Sequence, residues 1–230
     1  MIVSRPLDGI KVLDLSKVLA GPLCAQYLGD LGAEVIKVEA VGQGDETRGW
    51  PPFPAPGLGT VFLSANRNKR SIAINMKSDK GRKLVHTLAK SADVAIESFG
   101  TGVAERLGID AATLCALNDR LVHCSISGFG QDGPYHKRPG FDQIAQGMGG
   151  LMSITGAPGQ GPMRVGIPVA DLTAGLFCAM GILTALLERE VSGKGQWVQT
   201  SLLQAQIFIL DFQAARWLME KEVAKQAGNN

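Results

Sequence analysis

The first forty residues alternate between apolar runs and a helical segment, and this alternation restricts the chain to a small set of folds. Residues 10–15 (IKVLDL) and 33–39 (AEVIKVE) predict buried strands, and residues 23–32 between them predict a helix. Two strands joined through a helix form a βαβ unit, and the strands of such a unit run parallel. The chain is therefore expected to contain a parallel sheet.

The same alternation continues along the chain. Further strands are predicted at residues 70–75, 94–98, 121–126 and 196–201, and further helices at residues 78–89, 103–107, 111–118, 172–188 and 202–226. Residues 41–59 and 140–166 are rich in glycine and are predicted as loops, the second of them functional because of its length. This order predicts an α/β fold: a Rossmann-like, mostly parallel sheet with helices on both faces.

Composition narrows the class of protein. The 230 residues are 45% hydrophobic, which allows a sizeable core, and the 23 basic and 21 acidic residues are interspersed, which argues against a nucleic-acid partner. Cys24, Cys115, Cys124 and Cys178 lie far apart and are expected to be reduced thiols. The first residues resemble neither a signal nor a transit peptide, and the most apolar window, 172–187, is shorter than the ~20 residues of a membrane span. A cytoplasmic protein without a membrane partner is expected.

One carboxylate, Asp171, lies where an apolar run passes into a long apolar helix. Val165, Ile167 and Val169 alternate like one face of a strand, so Asp171 is predicted to be the N-cap of the following helix. It is either a capping residue or a nucleophile that the helix N-terminus keeps ionised at the carboxyl end of a parallel sheet. Both interpretations are open at this point.

Other candidate sites are weaker. Residues 128–133 fit the dinucleotide pattern GxGxxG, but Pro134, Pro139 and Gly140 prevent the helix that this motif requires. The three histidines lack metal-ligand spacing, so no metal site is expected, and only His136 lies in a plausible site loop. The cations Arg48, Arg67, Lys69, Arg70 and Arg106 form either a solvated rim or a collar for an anionic ligand such as a nucleotide diphosphate.

Several windows, taken in order and spacing, resemble the family III CoA-transferases, a group that includes formyl-CoA:oxalate and carnitine CoA-transferases. They are residues 6–10 (PLDGI), 18–22 (VLAGP), 31–39 (LGAEVIKVE), 44–48 (GDETR), 66–69 (NRNK) and 127–134 (SGFGQDGP). The resemblance runs from Pro6 to the last residue.

The resemblance implies that Asp171 attacks an acyl-CoA thioester to form an aspartyl mixed anhydride, which the released CoA thiolate converts to an aspartyl-CoA thioester. An acceptor carboxylate then takes over the CoA. CoA is thus a cosubstrate, and neither a permanent cofactor, a metal nor ATP is implied. Backbone N–H groups at the glycine-rich turns are expected to stabilise the oxyanions.

The resemblance also implies CoA-binding residues, which follow the first strand, the fourth strand and the glycine-rich loop: Val18, Leu19, Ala20, Ser98, Phe99, Arg106, Lys137 and Arg138. The chain departs from the family pattern in three places. Leu19 stands where formyl-CoA transferases carry a glutamine, Ser98 and Gly100 stand in the segment where asparagine and then arginine or glycine are common, and Pro139 stands where some members place a cation. Lys137 and Arg138 are expected to supply that cation instead.

Two alternatives remain. α-Methylacyl-CoA racemases belong to the same superfamily, but their pattern has histidine before aspartate where this chain has Phe141 before Asp142. The second alternative is a non-catalytic CoA-binding fragment. Family members are about twice as long, with a small second domain and an interlocked homodimer, so residues 1–200 are expected to be the CoA-binding large domain and residues 201–230 a helix leading towards the absent small domain, with an apolar face left exposed. The resemblance favours dicarboxylate substrates such as succinate.

Overall fold

A six-stranded parallel sheet forms the centre of the protein. The computed structural model describes residues 5–228. The strands are β1 (Lys11–Asp14), β2 (Glu34–Glu39), β3 (Lys69–Ala73), β4 (Val94–Glu97), β5 (Val122–Ser127) and β6 (Trp197–Ser201). They lie in the order β3-β2-β1-β4-β5-β6, and every neighbouring pair is parallel. This is the doubly wound order, whose direction reverses between β1 and β4. The predicted α/β class is confirmed.

Ten helices surround the sheet within the described residues. They are α1 (Ala20–Asp30), α2 (Thr60–Asn66), α3 (Asp79–Ala89), α4 (Val103–Leu107), α5 (Ala111–Leu117), α6 (Asp142–Met148), α7 (Leu151–Ile154), α8 (Val169–Ser192), α9 (Leu202–Phe208) and α10 (Phe212–Glu220). A short 3₁₀ helix spans Glu46–Gly49. Helices α2, α6 and α7 lie in segments that the sequence predicted as loops or left unassigned, because each is only one or two turns long and has little apolar periodicity.

Two apolar cores cover the two faces of the sheet. On one face, β-strand residues such as Val94 and Ile96 pack against α1 and α8. On the other, Leu13 and Ala95 pack against α3, α4 and α5. Successive strand residues point to opposite faces, so fully buried parallel strands have apolar residues at nearly every position. The prediction of helices on both faces is confirmed.

Helix α8 is the central helix of the first core. Its 24 residues exceed the length that the sequence predicted, and it is the one helix in the described part of the chain that is long and apolar enough to cross a membrane. It packs against α1, β5, β6 and α9, and Ala174, Cys178 and Ile182 are fully buried. Packing within the α/β unit accounts for the apolar residues on this buried face of α8.

The strand predicted from Val165, Ile167 and Val169 is wrong. The segment makes no strand pairing, since β6 occupies the position beside β5. Pro168 has no N–H for a sheet ladder, and the N–H of Val165 instead donates to the Gln146 side chain at 2.9 Å. Alternation predicted an extended backbone without supplying a neighbouring strand.

The long helix predicted over residues 202–226 is also wrong. The chain forms α9 and then α10, separated at Asp211, whose φ of +48° no helix interior can contain. Leu202 and Ala205 of α9 are buried in the first core, so α9 packs on the α/β unit. In α10, by contrast, Trp217 and Leu218 are 49% and 68% exposed, which confirms the exposed apolar face.

Candidate functional site

Two adjoining cavities lie at the carboxyl ends of β1 and β4, where the strand order reverses and where open α/β sheets bind ligands. The larger has a volume of about 710 Å³ and the smaller about 290 Å³. Lys17, Glu46 and Phe99 line both, so the cavities share a wall. Together they form one candidate site with a wide and a narrow compartment.

Asp171 lines the smaller cavity. It is the third residue of α8, and the cap of that helix comes from elsewhere: Oδ1 of Asp142 accepts the backbone N–H of Ala170 at 2.8 Å and that of Asp171 at 3.4 Å. Within residues 5–228 the Asp171 carboxylate takes part in no hydrogen bond or salt bridge. The predicted N-cap position of Asp171 is therefore wrong, and its side chain is left available to a ligand.

The environment of Asp171 disfavours its ionised form. Burial, and secondarily the nearby Asp142 carboxylate, raise the pKa of Asp171 from 3.8 to about 7. This is opposite to the expectation that the helix N-terminus keeps Asp171 ionised, because desolvation dominates there. A carboxylate of higher pKa that has lost its water shell is also a better nucleophile once deprotonated.

Gly175, one turn after Asp171, brings α8 close to the start of α1. A Cβ at Gly175 would lie 2.8 Å from the carbonyl oxygen of Ala20, so a larger residue would push the two helices apart. Residues four apart lie on the same face of a helix. Asp171 consequently faces the segment 18–20, which lines the same cavity.

The GxGxxG segment has a packing role. A Cβ at Gly128 would lie 2.5 Å from Cα of Gly140, which means that the loop after β5 passes directly against the residue before Phe141. No helix begins until Asp142, so the helix that the dinucleotide motif requires directly after its glycines does not form there. The contact places Phe141 at the smaller cavity and Asp142 at the start of α8.

Ser98 joins the two loops that border the site. Its hydroxyl accepts the backbone N–H of Lys17 at 3.0 Å and donates to the carbonyl of Lys17 at 3.2 Å. The preceding residue, Glu97, is buried and accepts the N–H of Phe99 at 2.8 Å, and burial raises the pKa of Glu97 to about 7. The side chains of Glu97, at the end of β4, and Ser98, directly after it, thus fix the loop after β4 and the loop after β1.

The residues predicted to bind CoA are distributed unevenly over the site. Val18, Leu19, Ala20, Ser98, Phe99 and Arg138 line the smaller cavity, and Phe99 and Arg106 line the larger. Lys137 is exposed and lines neither cavity. The Arg138 guanidinium carbon lies 4.1 Å from the Tyr135 ring centroid. The cation predicted beside Asp142 is thus represented at the cavity by Arg138.

Of the two interpretations of these cations, a solvated rim or a collar for an anionic ligand, the collar does not form. Arg48 makes a double hydrogen bond to Glu39, Arg67 pairs with Asp30, and Arg70 pairs with Glu34. Lys69 is buried against Asp14. Each of these cations is used by a carboxylate that its neighbouring strand or helix supplies, and only Arg106 of the predicted group lines a cavity.

Four lining residues were not predicted from the sequence: Lys17, Glu46, Asn75 and Lys77. Their position at the end of a predicted strand, just after one, or in the first long loop was the available signal, because the carboxyl ends of parallel strands meet on one side of the sheet. Among residues 5–228, no group of three His, Cys, Asp or Glu side chains is placed to hold a metal ion.

Comparison with known proteins agrees with this geometry. The model of "CoA-transferase family III" matches residues 7–230. The chain is 43% identical to a succinyl-CoA:glutarate CoA-transferase of Mus musculus over 97% of its length and 51% of that protein. It is also 43% identical to a succinate–glutarate CoA-transferase of Agrobacterium fabrum, over 97% of its length and 58% of the relative. The chain thus spans about half the length of the curated relatives it matches.

A solved structure gives the same result. The CAIB/BAIF family protein from Brucella suis superimposes with a TM-score of 0.94 at 42% identity, covering 98% of this chain and 60% of that one. The match of the family model over nearly every residue, the close relatives and this superposition agree: the chain belongs to CoA-transferase family III.

Proposed function

We propose that the chain is the nucleophile-bearing part of an enzyme that moves CoA from an acyl-CoA to a carboxylic acid. The observation that carries the proposal is the free carboxylate of Asp171, which lines the smaller cavity while Asp142 caps its helix. If Asp171 served only to cap α8, its own carboxylate would accept the free N–H groups of the first turn, whereas Asp142 accepts them.

The proposed reaction uses Asp171 twice. One Asp171 oxygen attacks the thioester carbonyl, the C–S bond breaks, and CoA leaves as a thiolate, which leaves an aspartyl–acyl anhydride. The thiolate then attacks the aspartyl carbonyl and releases the donor carboxylate, giving the aspartyl-CoA thioester. The acceptor carboxylate then attacks the aspartyl-CoA thioester and releases the CoA thiolate, which gives a second anhydride. The thiolate attacks the acceptor's carbonyl in this anhydride, which forms the product thioester and regenerates Asp171. Positioning of the reacting groups supplies most of the acceleration.

The two cavities suit the two ends of an acyl-CoA. A volume of about 710 Å³ lies within the usual range for a pocket that holds a cofactor-sized ligand, and the cations Arg106 and Lys77 line it. We assign the phosphorylated nucleotide to this compartment and the thioester to the smaller one. Gly128 and Gly140 line the smaller cavity, and their backbone N–H groups are the proposed oxyanion donors.

Dicarboxylates are the proposed substrates. Arg138 and His136 line the cavity that holds Asp171, and a cation there can pair with the second carboxylate of a succinyl group. The relatives named above act on succinyl-CoA or succinate together with glutarate. Phe141, which carries no proton-accepting atom, lines the same cavity, and this favours a transferase over a racemase.

Trapping of the activated aspartate tests the proposal. The chain is incubated with succinyl-CoA and hydroxylamine, and its intact mass and peptides are compared with those of Asp171→Asn and the control Asp132→Asn, at an exposed loop residue. A hydroxamate at the Asp171 peptide in the wild type and in Asp132→Asn alone supports the mechanism. A chain that binds CoA equally well with and without Asp171 and gains no mass would identify a non-catalytic CoA-binding fragment.

The interlocked homodimer and the cytoplasmic location stay predictions. Both concern whole proteins of this family, and the chain spans about half the length of the curated relatives it matches.

A further inference from the structure

Four charged side chains are buried together beneath the loop that follows β1. Lys37 Nζ lies 3.0 Å from Oδ2 of Asp45 and 3.9 Å from Oδ2 of Asp14, and Lys69 Nζ lies 2.9 Å from the same Asp14 oxygen. Every one of these side chains is at most 2% exposed. Asp14, Lys37, Asp45 and Lys69 are called the buried ion network below.

A network of this kind is costly to bury, and apolar residues of similar size often give equal or greater stability. Stability is therefore a weak explanation for two lysines and two aspartates in the interior. Burial alone would raise the pKa of Asp14, but the Coulombic pull of Lys69 and Lys37 outweighs it and lowers that pKa, so Asp14 is held as a carboxylate. A role tied to its hydrogen bonds is the better explanation.

Those hydrogen bonds end on the backbone of the β1 loop, residues 16–19. Oδ1 of Asp14 accepts the N–H of Ser16 at 3.0 Å, Lys37 donates to the Ser16 carbonyl at 2.9 Å, and Oδ2 of Asp45 accepts the N–H of Val18 at 3.3 Å. Ser98 bonds both polar groups of Lys17, between them. From the N–H of Ser16 to that of Val18, side chains therefore satisfy each backbone polar group.

Val18 needs such support. Its φ is +69°, in the left-handed region that β-branched residues avoid because Cβ crowds the backbone. A conformation of this kind persists only where the surroundings impose it, and such residues are concentrated at functional sites. Val18 and the next two residues line the cavity opposite Asp171.

We propose that the buried ion network is a positioning device for the acyl-transfer site. Asp45 and Lys37 hold Val18 in its left-handed conformation, so that the β1 loop forms a preshaped wall facing Asp171. The catalytic meaning of this wall rests on the proposed function, whereas the effect on the loop does not. Asp45 and Lys37 line the larger cavity but not the one that holds Asp171, so they are positioning residues for the acyl-transfer site.

Asp45→Asn is the most direct probe. In the wild type, Oδ1 of Asp45 accepts the N–H and hydroxyl of Thr47 at 3.0 and 2.8 Å, while Oδ2 serves Val18 and Lys37. Asparagine has one acceptor oxygen and one donor group. It can keep the bonds to Thr47 or those to the loop and Lys37, but not both.

Asp110→Asn is a matched control. Asp110 also caps a helix, α5, through the two polar groups of one threonine, with Oδ1 accepting the N–H of Thr113 at 3.0 Å and Oδ2 its hydroxyl at 2.7 Å. It contacts neither the β1 loop nor a lysine of the network. Both substitutions thus change a capping carboxylate to an amide, and only one touches the proposed device.

Amide hydrogen exchange of residues 16–18 is the first measurement. We expect roughly tenfold or greater acceleration in Asp45→Asn at pH 7, as for release of a strained residue, and no change in Asp110→Asn. Equal rates in Asp45→Asn and the wild type, or equal acceleration in the two variants, would overturn the proposal. Neither result depends on transferase activity, so failure of the proposed function is seen separately, as absence of trapping at Asp171 in the wild type.

A crystal structure of Val18→Gly is the second measurement, and it does not require Asp45→Asn to fold. Glycine has no preference between the two signs of φ. If the network imposes the conformation, position 18 keeps a positive φ and residues 16–19 keep their path. Relaxation of position 18 to a negative φ would show that the valine side chain, rather than the network, determines the loop, and would refute the inference.

A third readout separates positioning from mere support. The trapping rate at Asp171 with saturating succinyl-CoA should fall in Asp45→Asn and recover at least in part in the double variant with Val18→Gly, because glycine reaches the left-handed region without strain. A loss in Asp45→Asn that Val18→Gly leaves unchanged would contradict the assigned route through Val18.

Discussion

Oδ1 of Asp142 accepts the backbone N–H of Asp171 at 3.4 Å and that of the preceding Ala170 at 2.8 Å. One aspartate thus caps the helix that carries the other. The second oxygen of Asp142 accepts the Gln146 side chain at 2.6 Å, which fixes the capping carboxylate. From the sequence, capping and nucleophilic attack were alternative functions of Asp171. In the structure Asp142 does the capping, and the chemistry of Asp171 depends on Asp142.

The reactivity of Asp171 should depend on pH. Its pKa is raised to about 7, and only the ionised form is a nucleophile, so hydroxylamine trapping should increase as the pH rises through about 7 and then level off. Trapping rates measured from about pH 5.5 to 8.5 test this. Lys17, Glu46, His136 and Arg138 also line the cavity, so the profile is compared with that of His136→Gln. A rate that is already constant above about pH 5 would contradict the raised pKa.

Stability should show the opposite trend. Because the folded-state pKa of Asp171 lies above its ordinary 3.8, the folded chain holds a proton that the unfolded chain releases between those two values. This contribution is complete below about pH 4 and is lost as the pH rises through about 7. Asp171→Asn should therefore be more stable than the wild type at pH 8, by on the order of a few kcal/mol, and similar to it near pH 4. Urea unfolding measures the difference, with Asp132→Asn as the control.

Asp142→Asn tests the link between the two aspartates. The amide oxygen can still accept the N–H groups of α8, while an NH₂ group replaces the oxygen that accepts the Gln146 side chain. The charge that adds to the effect of burial on the pKa of Asp171 is gone. The midpoint of the trapping profile should move to lower pH, while burial keeps it above the ordinary value. Asp142→Ala should in addition destabilise the fold by about 1 kcal/mol or more through loss of the cap. An unmoved midpoint in Asp142→Asn would mean that burial alone raises the pKa.

Gly175→Ala should damage the site through backbone contact. The added methyl group would meet the Ala20 carbonyl at 2.8 Å, and overpacking of this kind costs about 1–3 kcal/mol, against a gain of about 1 kcal/mol in helix propensity. Gly181→Ala in the same helix is the control, since its methyl group meets only the Val198 side chain, which can move. The thermal unfolding temperature and the trapping rate should both fall further in Gly175→Ala than in Gly181→Ala. Equal effects would contradict the close approach of α8 to α1.

Arg106→Gln should weaken CoA binding. Arg106 lines the larger cavity and is the predicted partner of a CoA phosphate, and a hydrogen bond to a charged group contributes about 1.5–3 kcal/mol, which corresponds to tenfold or more in affinity. Calorimetric titration with CoA measures this. Arg120→Gln is the control. Arg120 lies just before β5, at the amino ends of the strands and away from the cavities, and it pairs there with Glu190. Undiminished affinity in Arg106→Gln would place the phosphates elsewhere.

The strands and most helices were predictable because their signals are local. Residues 10–15 and 33–39 carry the apolar runs of buried strands, and the structure has β1 and β2 there within one residue or so. Where the local signal was ambiguous, the prediction was wrong. The alternation at 165–169 does not form a strand, and the helical pattern over 202–226 did not reveal the positive φ of Asp211 that separates α9 from α10. Pairing partners and single backbone torsions depend on distant parts of the chain.

The sequence by itself determined the class of fold, the family resemblance and the candidate nucleophile, since periodicity and ordered motifs are properties of neighbouring residues. Tertiary structure alone decided that Asp142, 29 residues before Asp171 in the chain, caps the helix of Asp171. It also decided that burial raises the pKa of Asp171 to about 7, and that Lys69 is used within the interior instead of at a ligand. The physical reason is that capping, desolvation and ion pairing depend on distances between atoms, which only folding brings within a few ångströms.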